Sequence, residues 1–150
     1  MNQYTQQKFV GERALFQSRD LELSYCTFAD GESPLKESKN LKIENCLFQW
    51  KYPLWYCRNV EVKHSTMFEM ARAGIWYTDH ISMEDITYQA PKGFRRCKDV
   101  VLKDINFPNA AETLWNCSQV KMQNVTAKGD YFAMGSSDME IDNFTLVGNY

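Results

Sequence analysis

A repeat of about twenty residues constrains this chain more than any other feature of its sequence. In residues 40–48 (NLKIENCLF) the apolar side chains alternate, skip one position at Asn45 and alternate again. Such alternation is typical of a strand with one buried side, and a short polar residue at the skip is typical of a bend. The repeating unit is therefore predicted to be a strand, a corner and a second strand.

Apolar or small residues recur in register along the whole chain, at steps of nineteen to twenty-one residues. The first such column contains Leu21, Leu41, Val60, Ile81, Val100, Val120 and Met139. One copy cannot bury its apolar side alone, so the copies must stack on one another. Leucine-rich repeats share this period, but their outer segment and their leucine and asparagine consensus are missing here. We therefore predict an all-β parallel solenoid of about seven coils of 19–21 residues.

Polar residues at the corner and at outward positions provide a test of this register. The corner column contains Tyr25, Asn45, His64, Asp85, Asp104, Asn124 and Asn143. Outward charges alternate in sign from coil to coil, as in Glu44, Lys63, Glu84 and Lys103. Opposite charges on neighbouring strands attract each other. The register therefore predicts a polar ladder at the corner and rows of ion pairs on the surface.

The repeat extends over residues 1–150, which we predict to form a single β-helix domain. Residues 1–14 contain a partial N-terminal coil, because Phe9 lies nineteen positions before Phe28. The sequence stops at Tyr150, where an eighth coil is due. Since an open solenoid end leaves strand edges unpaired, we expect the C-terminus to be truncated within the solenoid or to meet another chain.

Charge and hydropathy exclude several functions. The 17 Lys and Arg residues against 19 Asp and Glu give a net charge of -2, which does not indicate the clustered basic surface that nucleic acid requires. No apolar run approaches the roughly eighteen residues of a membrane span. The start MNQYTQQKF lacks the hydrophobic segment of a signal peptide. We predict a cytoplasmic protein that binds neither nucleic acid nor membrane.

The five cysteines agree with this location. Cys26 and Cys46 occupy one inward column, and Cys57, Cys97 and Cys117 occupy another, so burial as small apolar side chains accounts for them. An odd number without a secretory signal favours free thiols. Neither a CxxC motif nor the ligand spacing of a zinc site is present. We predict no metal and no cofactor.

The segments GERALFQSRDLEL, KYPLWYCRNVEV, ARAGIWYTDHIS and KGDYFAMGSS resemble a family of uncharacterised, mainly bacterial proteins defined only as a domain of unknown function. The resemblance covers essentially the whole chain. It implies a single-stranded right-handed parallel β-helix of the pectin-lyase-like type, and it implies that members continue past Tyr150. It supplies no established activity and no catalytic residue.

A column of large side chains directly after each coil start is the strongest candidate for a binding site. It contains Phe16, Lys36, Trp55, Trp76, Arg95, Trp115 and Met134, with Tyr56 and Tyr77 beside it. We place the column outward because burial of Lys36 and Arg95 is costly. Aromatic faces beside charges suit the apolar faces and hydroxyl groups of sugars. The alternative is an aromatic ladder that stiffens the sheet or is covered by a partner.

Charged residues in the turns that close each coil are weaker candidates for catalysis. Glu69 and Glu112, with Arg72 nearby, offer the paired carboxylates of glycoside hydrolysis, which are about 5 to 9.5 Å apart. Charges of alternating sign in surface turns are more often solvated ion pairs. Asp79 and His80 resemble a lyase motif, but His80 occupies a corner position of the repeat. No specific motif indicates that the protein is an enzyme.

The sequence leaves three functional hypotheses. The first is a carbohydrate-binding β-helix that uses Trp55, Trp76, Arg95, Trp115, Tyr56 and Tyr77. The second is a polysaccharide lyase or glycoside hydrolase that uses turn carboxylates. The third is a structural or assembly module whose open ends pair with another chain.

Overall fold

The computed structural model describes residues 2–150, which form thirteen β-strands and no helix. In chain order the strands are β1 (Asn2–Thr5), β2 (Lys8–Phe9), β3 (Arg19–Ser24), β4 (Thr27–Phe28), β5 (Lys39–Glu44), β6 (Leu47–Phe48), β7 (Leu54–Trp55), β8 (Arg58–Met67), β9 (Ile75–Trp76), β10 (Asp79–Tyr88), β11 (Lys98–Phe107), β12 (Ser118–Lys128) and β13 (Ser137–Val147). Within residues 2–150 there is accordingly no helix long and apolar enough to cross a membrane.

The strands stack as parallel neighbours, each one coil further along the chain. Eight of them form a continuous path in the order β1, β3, β5, β8, β10, β11, β12 and β13. Leu41 of β5 lies between Leu21 of β3 and Val60 of β8. These pairs confirm the predicted parallel solenoid and its register. The solenoid has about eight turns, because β1 and β2 already pair with β3 and β4, and its right-handed winding stays a prediction.

Left-handed backbone turns the chain at the corners of each coil. The predicted corner column, which includes Asn45 and His64, has φ angles between 50° and 57°. Three further columns share this conformation and are represented in one coil by Tyr52, Tyr56 and Asn59. Asn and Asp adopt it more readily than most residues because their short polar side chains bond locally. Each coil is therefore a loop with four corners.

Side chains in the corner columns bond to one another along the stack. For example, Asn124 Nδ2 donates to Asp104 Oδ1 at 3.1 Å. The two histidines each pair through Nδ1 with an aspartate of the next coil at 2.7 Å, His64 with Asp85 and His80 with Asp99. These contacts confirm the polar ladder and give both histidines a place in the repeat.

The charges on the outward face form ion pairs both within a strand and between coils. Lys63 Nζ lies 3.3 Å from Glu61 Oε1 and 3.9 Å from Glu84 Oε2. Lys103 Nζ lies 3.4 Å from the other carboxylate oxygen of Glu84. The predicted rows of opposite charge are therefore confirmed here. Each exposed pair adds at most about 1 kcal/mol to stability.

Equivalent inward side chains stack to form the core. Phe9, Phe28 and Phe48 lie above one another, with successive ring centroids 5.1 and 4.9 Å apart and nearly parallel ring planes. The five cysteines are buried and free, as predicted. The Cys57 thiol donates to the backbone oxygen of Leu35 in the coil below at 3.0 Å. The core thus continues without interruption along the axis.

The Phe48 ring should contribute strongly to stability because it packs between two coils. We expect Phe48→Ala to lower the free energy of unfolding by about 3–5 kcal/mol. Leu47→Ala is the matched control, since Leu47 faces outward on the same strand and is 37% exposed, and it should cost less than about 1 kcal/mol. Urea denaturation followed by tryptophan fluorescence measures both, and equal losses would contradict the inward and outward assignment.

Candidate functional site

Four large side chains on the outside of the coil form the aromatic stripe, which we define as Trp55, Trp76, Arg95 and Trp115. Strands β7 and β9 pair in parallel and set Trp55 beside Trp76. Single parallel bridges then connect Trp76 to Arg95 and Arg95 to Trp115. Backbone pairing at intervals of one coil therefore brings together the stripe residues named from the sequence.

The side chains of the aromatic stripe stack face to face. The rings of Trp55 and Trp76 are 4.9 Å apart and inclined by 7°. The guanidinium carbon of Arg95 lies 4.3 Å from the ring centroid of Trp76 and 4.8 Å from that of Trp115. A cation between two indoles is attracted by both π faces. The aromatic faces inside the stripe are consequently covered by the stripe itself.

The indole N–H groups are also satisfied within the protein. The Trp76 Nε1–H donates to the backbone oxygen of Lys92 at 2.8 Å, and that of Trp115 donates to the backbone oxygen of Tyr131 at 2.6 Å. Trp55 makes the same kind of bond. The inner part of the stripe therefore exposes mainly ring edges to a ligand. This arrangement matches the alternative interpretation of the sequence, an aromatic ladder that stiffens the sheet.

A second aromatic stack lies beside the stripe at the next corner. The rings of Tyr56 and Tyr77 are 4.8 Å apart and inclined by 9°. Lys36 Nζ lies 5.9 Å from the ring centroid of Tyr56. Because Tyr56 is 51% exposed, this stack presents phenol edges and one ammonium group to solvent.

An open groove of about 490 Å³ lies at the Trp115 end of the stripe. It is lined by Ala111, Glu112, Trp115, Asp130, Tyr131 and Met134. Tyr131 and Met134 are 44% and 47% exposed. The column that holds the stripe continues in the next coil with Met134, which has no aromatic ring. The stacking of rings therefore ends at Trp115, where an indole, a phenol and two carboxylates surround one space.

The carboxylates proposed for catalysis lie in two different turns. Glu112 lies in the groove, with its Oε2 3.7 Å from Lys92 Nζ. Glu69 and Arg72 are exposed and lie in the turn between β8 and β9. One complete coil separates the two turns, so equivalent positions in them are about 9.6 Å apart, which is twice the spacing of neighbouring strands. The structure thus places Glu112, but not Glu69, at the groove.

Ala111 and Tyr131 line the groove but were not named from the sequence, and Met134 was named only as the last member of the outward column. Tyr131 occupies a left-handed corner with φ of 59°, and Met134 occupies the next position in the stripe column. The signal that points to them is the change from an aromatic residue to Met134 at the end of the column. Asp130 appears in the sequence only as one charged turn residue among many. Its Oδ1 accepts the backbone N–H of Asn149 at 2.7 Å.

Two of the buried thiols, Cys46 and Cys57, are held in the protonated form. Burial raises the pKa of the Cys57 thiol to about 12 and that of Cys46 to about 11. A protonated thiol is a poor nucleophile and a poor metal ligand. In the described part of the chain no three His, Cys, Asp or Glu side chains are grouped in a way that holds a metal ion.

Stacked parallel coils with an outward aromatic stripe define the chain as a parallel β-solenoid protein. It belongs to the family described as "Protein of unknown function (DUF3737)", whose model matches residues 2–150. The expected membership of a domain-of-unknown-function family is therefore confirmed, whereas the pectin-lyase-like type and the bacterial source stay predictions. None of the curated proteins compared with the chain matches it.

Three solved structures align with the chain at low sequence identity. A candidate glycosyl hydrolase from Parabacteroides merdae is 9% identical, with a TM-score of 0.42 over 93% of this chain and 77% of its own. QnrB1, a plasmid-mediated fluoroquinolone resistance protein, is 10% identical, with a TM-score of 0.44 over 97% and 89%. HetL, a pentapeptide repeat protein from the cyanobacterium Nostoc, is 7% identical, with a TM-score of 0.27 over 97% and 87%. At these scores we draw no functional argument from them.

Arg95 should stabilise the stripe through both of its indole neighbours. We expect Arg95→Ala to lower the free energy of unfolding by about 1–3 kcal/mol, because two cation–π contacts and the packing of the side-chain stem are lost. Arg96→Ala removes an equal charge from the exposed neighbouring corner and should change stability by about 0.5 kcal/mol or less. Urea denaturation compares the two. A loss in Arg95→Ala no larger than that in Arg96→Ala would show that the stack does not stabilise the fold.

The buried Cys57 thiol should make stability depend on alkaline pH. Its pKa is about 12 in the folded protein, against an ordinary value of 9.0, so above pH 9 the unfolded state loses its proton first. The free energy of unfolding should therefore fall as pH rises above 9, by up to about 1.4 kcal/mol per pH unit for this thiol. Urea denaturation between about pH 8 and pH 10.5 measures the slope. Cys57→Ala should make it shallower, and an unchanged slope would refute the assignment.

Proposed function

We propose that this protein binds carbohydrate, and that the groove beside Trp115 is the binding site. The observation that carries the proposal is the meeting of an indole, an exposed phenol and two carboxylates around one open space. Elsewhere in the stripe the indole faces are covered, so a sugar ring has little surface on which to stack. The proposal therefore places the site at the end of the stripe.

Sugar chemistry fits the two kinds of surface in this groove. Trp115 provides a large, rigid aromatic surface, and Tyr131 provides the ring face that is not stacked on Tyr150, whose ring centroid lies 5.5 Å away. Such surfaces suit the apolar C–H faces of a sugar ring. Glu112 and Asp130 provide charged oxygens that accept hydrogen bonds from sugar hydroxyl groups, and such charge-assisted bonds are stronger than neutral ones. Apolar walls with a few placed polar groups are the usual composition of a small-molecule site.

Glycoside hydrolysis is the second candidate, and the two groove carboxylates favour it. The backbone N–H of Glu112 donates to the backbone oxygen of Asp130 at 3.0 Å, so the two acids project from neighbouring coils. Retaining glycosidases use carboxyl groups about 5 Å apart. Under this hypothesis the catalytic pair is Glu112 and Asp130 and no longer Glu69 and Glu112.

Release of reducing ends from a polysaccharide that is abolished by Glu112→Gln would establish glycoside hydrolysis. Activity that survives in Glu112→Gln would exclude this residue.

Assembly with another chain and the cellular location are the two remaining proposals. The third candidate is assembly through strand β13, whose Ile141 and Val147 are 51% and 58% exposed. A mass above that of the monomer in solution supports assembly, and a monomer at high concentration opposes it. A cytoplasmic location stays a prediction.

A panel of immobilised and soluble glycans tests carbohydrate binding directly. We expect binding to change the fluorescence of Trp115, and we expect Tyr131→Ala to weaken affinity roughly tenfold, equivalent to about 1.4 kcal/mol. Tyr25→Ala is the matched control, because Tyr25 is a 62% exposed corner tyrosine outside the groove. Equal affinities in the two variants would exclude the groove, and the absence of binding across the panel would exclude the function.

A further inference from the structure

Positive charges line the short side of the coil between the corner columns of Tyr56 and Asn59. We define the basic row as Arg19, Lys39 and Arg58, which are register partners in three successive strands. All three side chains are exposed, and neighbouring members are separated by the strand spacing of about 4.8 Å. The column then continues with Asp79 and Lys98. Three cations therefore follow one another without an intervening acid.

The basic row has no internal counter-charge. Among residues 2–150, no carboxylate lies within ion-pair distance of Arg19, Lys39 or Arg58. The nearest corner acid, Asp20, accepts a hydrogen bond from Asn40 Nδ2 at 2.9 Å.

The corner side chains next to the other two cations are neutral. These are Asn40 and Asn59, which bond to each other at 2.8 Å. Further acids flank the row at Glu37, in the preceding corner column, and at Asp79, in the next position of the same column. The three cations thus have three acids near them, but none of these acids lies within ion-pair distance.

The basic row places three like charges in register, whereas the corner acids Asp85 and Asp104 form a run of only two. On the wide face, cations and acids alternate, as in Glu61, Lys63 and Glu84. Like charges directly opposite on neighbouring strands repel each other and destabilise the sheet. Exposed cations that the protein leaves without an ion pair are free to attract an external anion. An anion that contacts all three must be long enough to span several coils.

We infer that the basic row binds an anionic polysaccharide laid along the axis of the solenoid. The positive charge of the row selects a polyanion, and the glycan class rests on the carbohydrate binding proposed above. Arg19 and Arg58 each offer a planar pair of donors that matches a carboxylate or sulfate group. The exposed phenol edge of Tyr56 and the ammonium group of Lys36 lie at the adjoining corner and extend the same surface.

Three polymers with one backbone separate charge from sugar recognition: dextran, carboxymethyl dextran and dextran sulfate. A single-stranded oligonucleotide serves as a polyanion without the glycan. Titration of the full chain at low and moderate salt should show carboxymethyl dextran or dextran sulfate binding at least about tenfold more tightly than dextran. The affinity should fall with salt, because binding releases counterions. Equal affinity for charged and neutral dextran would overturn the inference, as would tighter binding of the oligonucleotide than of either charged dextran.

The double variant Lys39→Gln with Arg58→Gln locates the effect. We expect it to weaken binding of the charged dextrans at least about tenfold and to lower the salt slope by about two, since each phosphate-like contact contributes about one. The control is Lys42→Gln with Lys121→Gln, which removes the same charge from the wide face and should change affinity less than twofold. Equal losses in the two double variants would show that net charge, and not the basic row, decides binding.

Stability provides a second, ligand-free readout. Because the variant relieves repulsion within the row, its melting temperature should equal or exceed that of the parent chain. A fall in melting temperature would contradict a row held against repulsion. Loss of charged dextran binding in the row variant, with binding at the Tyr131 groove unaffected, supports the inference independently of the groove. Binding of neutral glycans that requires Tyr131, together with no preference for charge, leaves the proposed function in place and refutes the inference.

Discussion

In-register stacking of one coil on the next is the constraint on which the rest of this structure depends. Each residue meets its equivalent from the neighbouring coil at about 4.8 Å, so every position in the repeat must accept something like itself as a neighbour. Inside, this condition is easily met, because phenylalanine stacks well on phenylalanine, as Phe28 does on Phe48. Small polarisable groups meet it too, since the Cys57 thiol bonds to a carbonyl oxygen in the coil below.

Outside the coil the same constraint divides residues into those that tolerate a copy of themselves and those that do not. Asn side chains bond to each other, and indoles stack or accept a guanidinium between them, as with Trp76 and Arg95. Like charges in register repel each other, and the wide face alternates their sign. The acids Asp85 and Asp104 form a like-charged pair at one corner, and the three cations of the basic row form a longer run.

The fold could be predicted because in-register stacking makes similar residues recur at a fixed period in the sequence. Leu21, Leu41 and Val60 share a register that the period alone reveals, and the skip at Asn45 marks a corner. The sequence also placed His80 at a corner, but it did not indicate the corners at Tyr52 and Tyr56, because such residues carry no signal for left-handed backbone. Their cost is met by the pairing of the flanking strands, which is a property of the whole stack.

The site was less predictable because its chemistry depends on which surfaces remain free after stacking. The sequence indicates that Trp76 faces outward, but ring orientation decides that its faces are covered. The environment of buried polar atoms was not predictable either. The Tyr88 hydroxyl is buried without a hydrogen-bond partner among residues 2–150, and a Cβ at Gly93 would lie 2.6 Å from it. The inward column predicts a large side chain at position 88, but it does not indicate how the hydroxyl group of Tyr88 is accommodated.

Position within the coil connects the groove, the stripe and the basic row. In each coil the chain passes from the corner before the stripe, through the stripe position, to the row position within about six residues, as from Glu112 through Trp115 to Ser118. These features therefore occupy adjoining sides of the solenoid at different heights along one axis. A small ligand meets them one at a time, whereas an extended polymer parallel to the axis meets several together. Weak contacts on separate coils then add within one chain, because the first contact raises the effective concentration for the next. A repeating scaffold is thus matched in its symmetry to a repeating ligand.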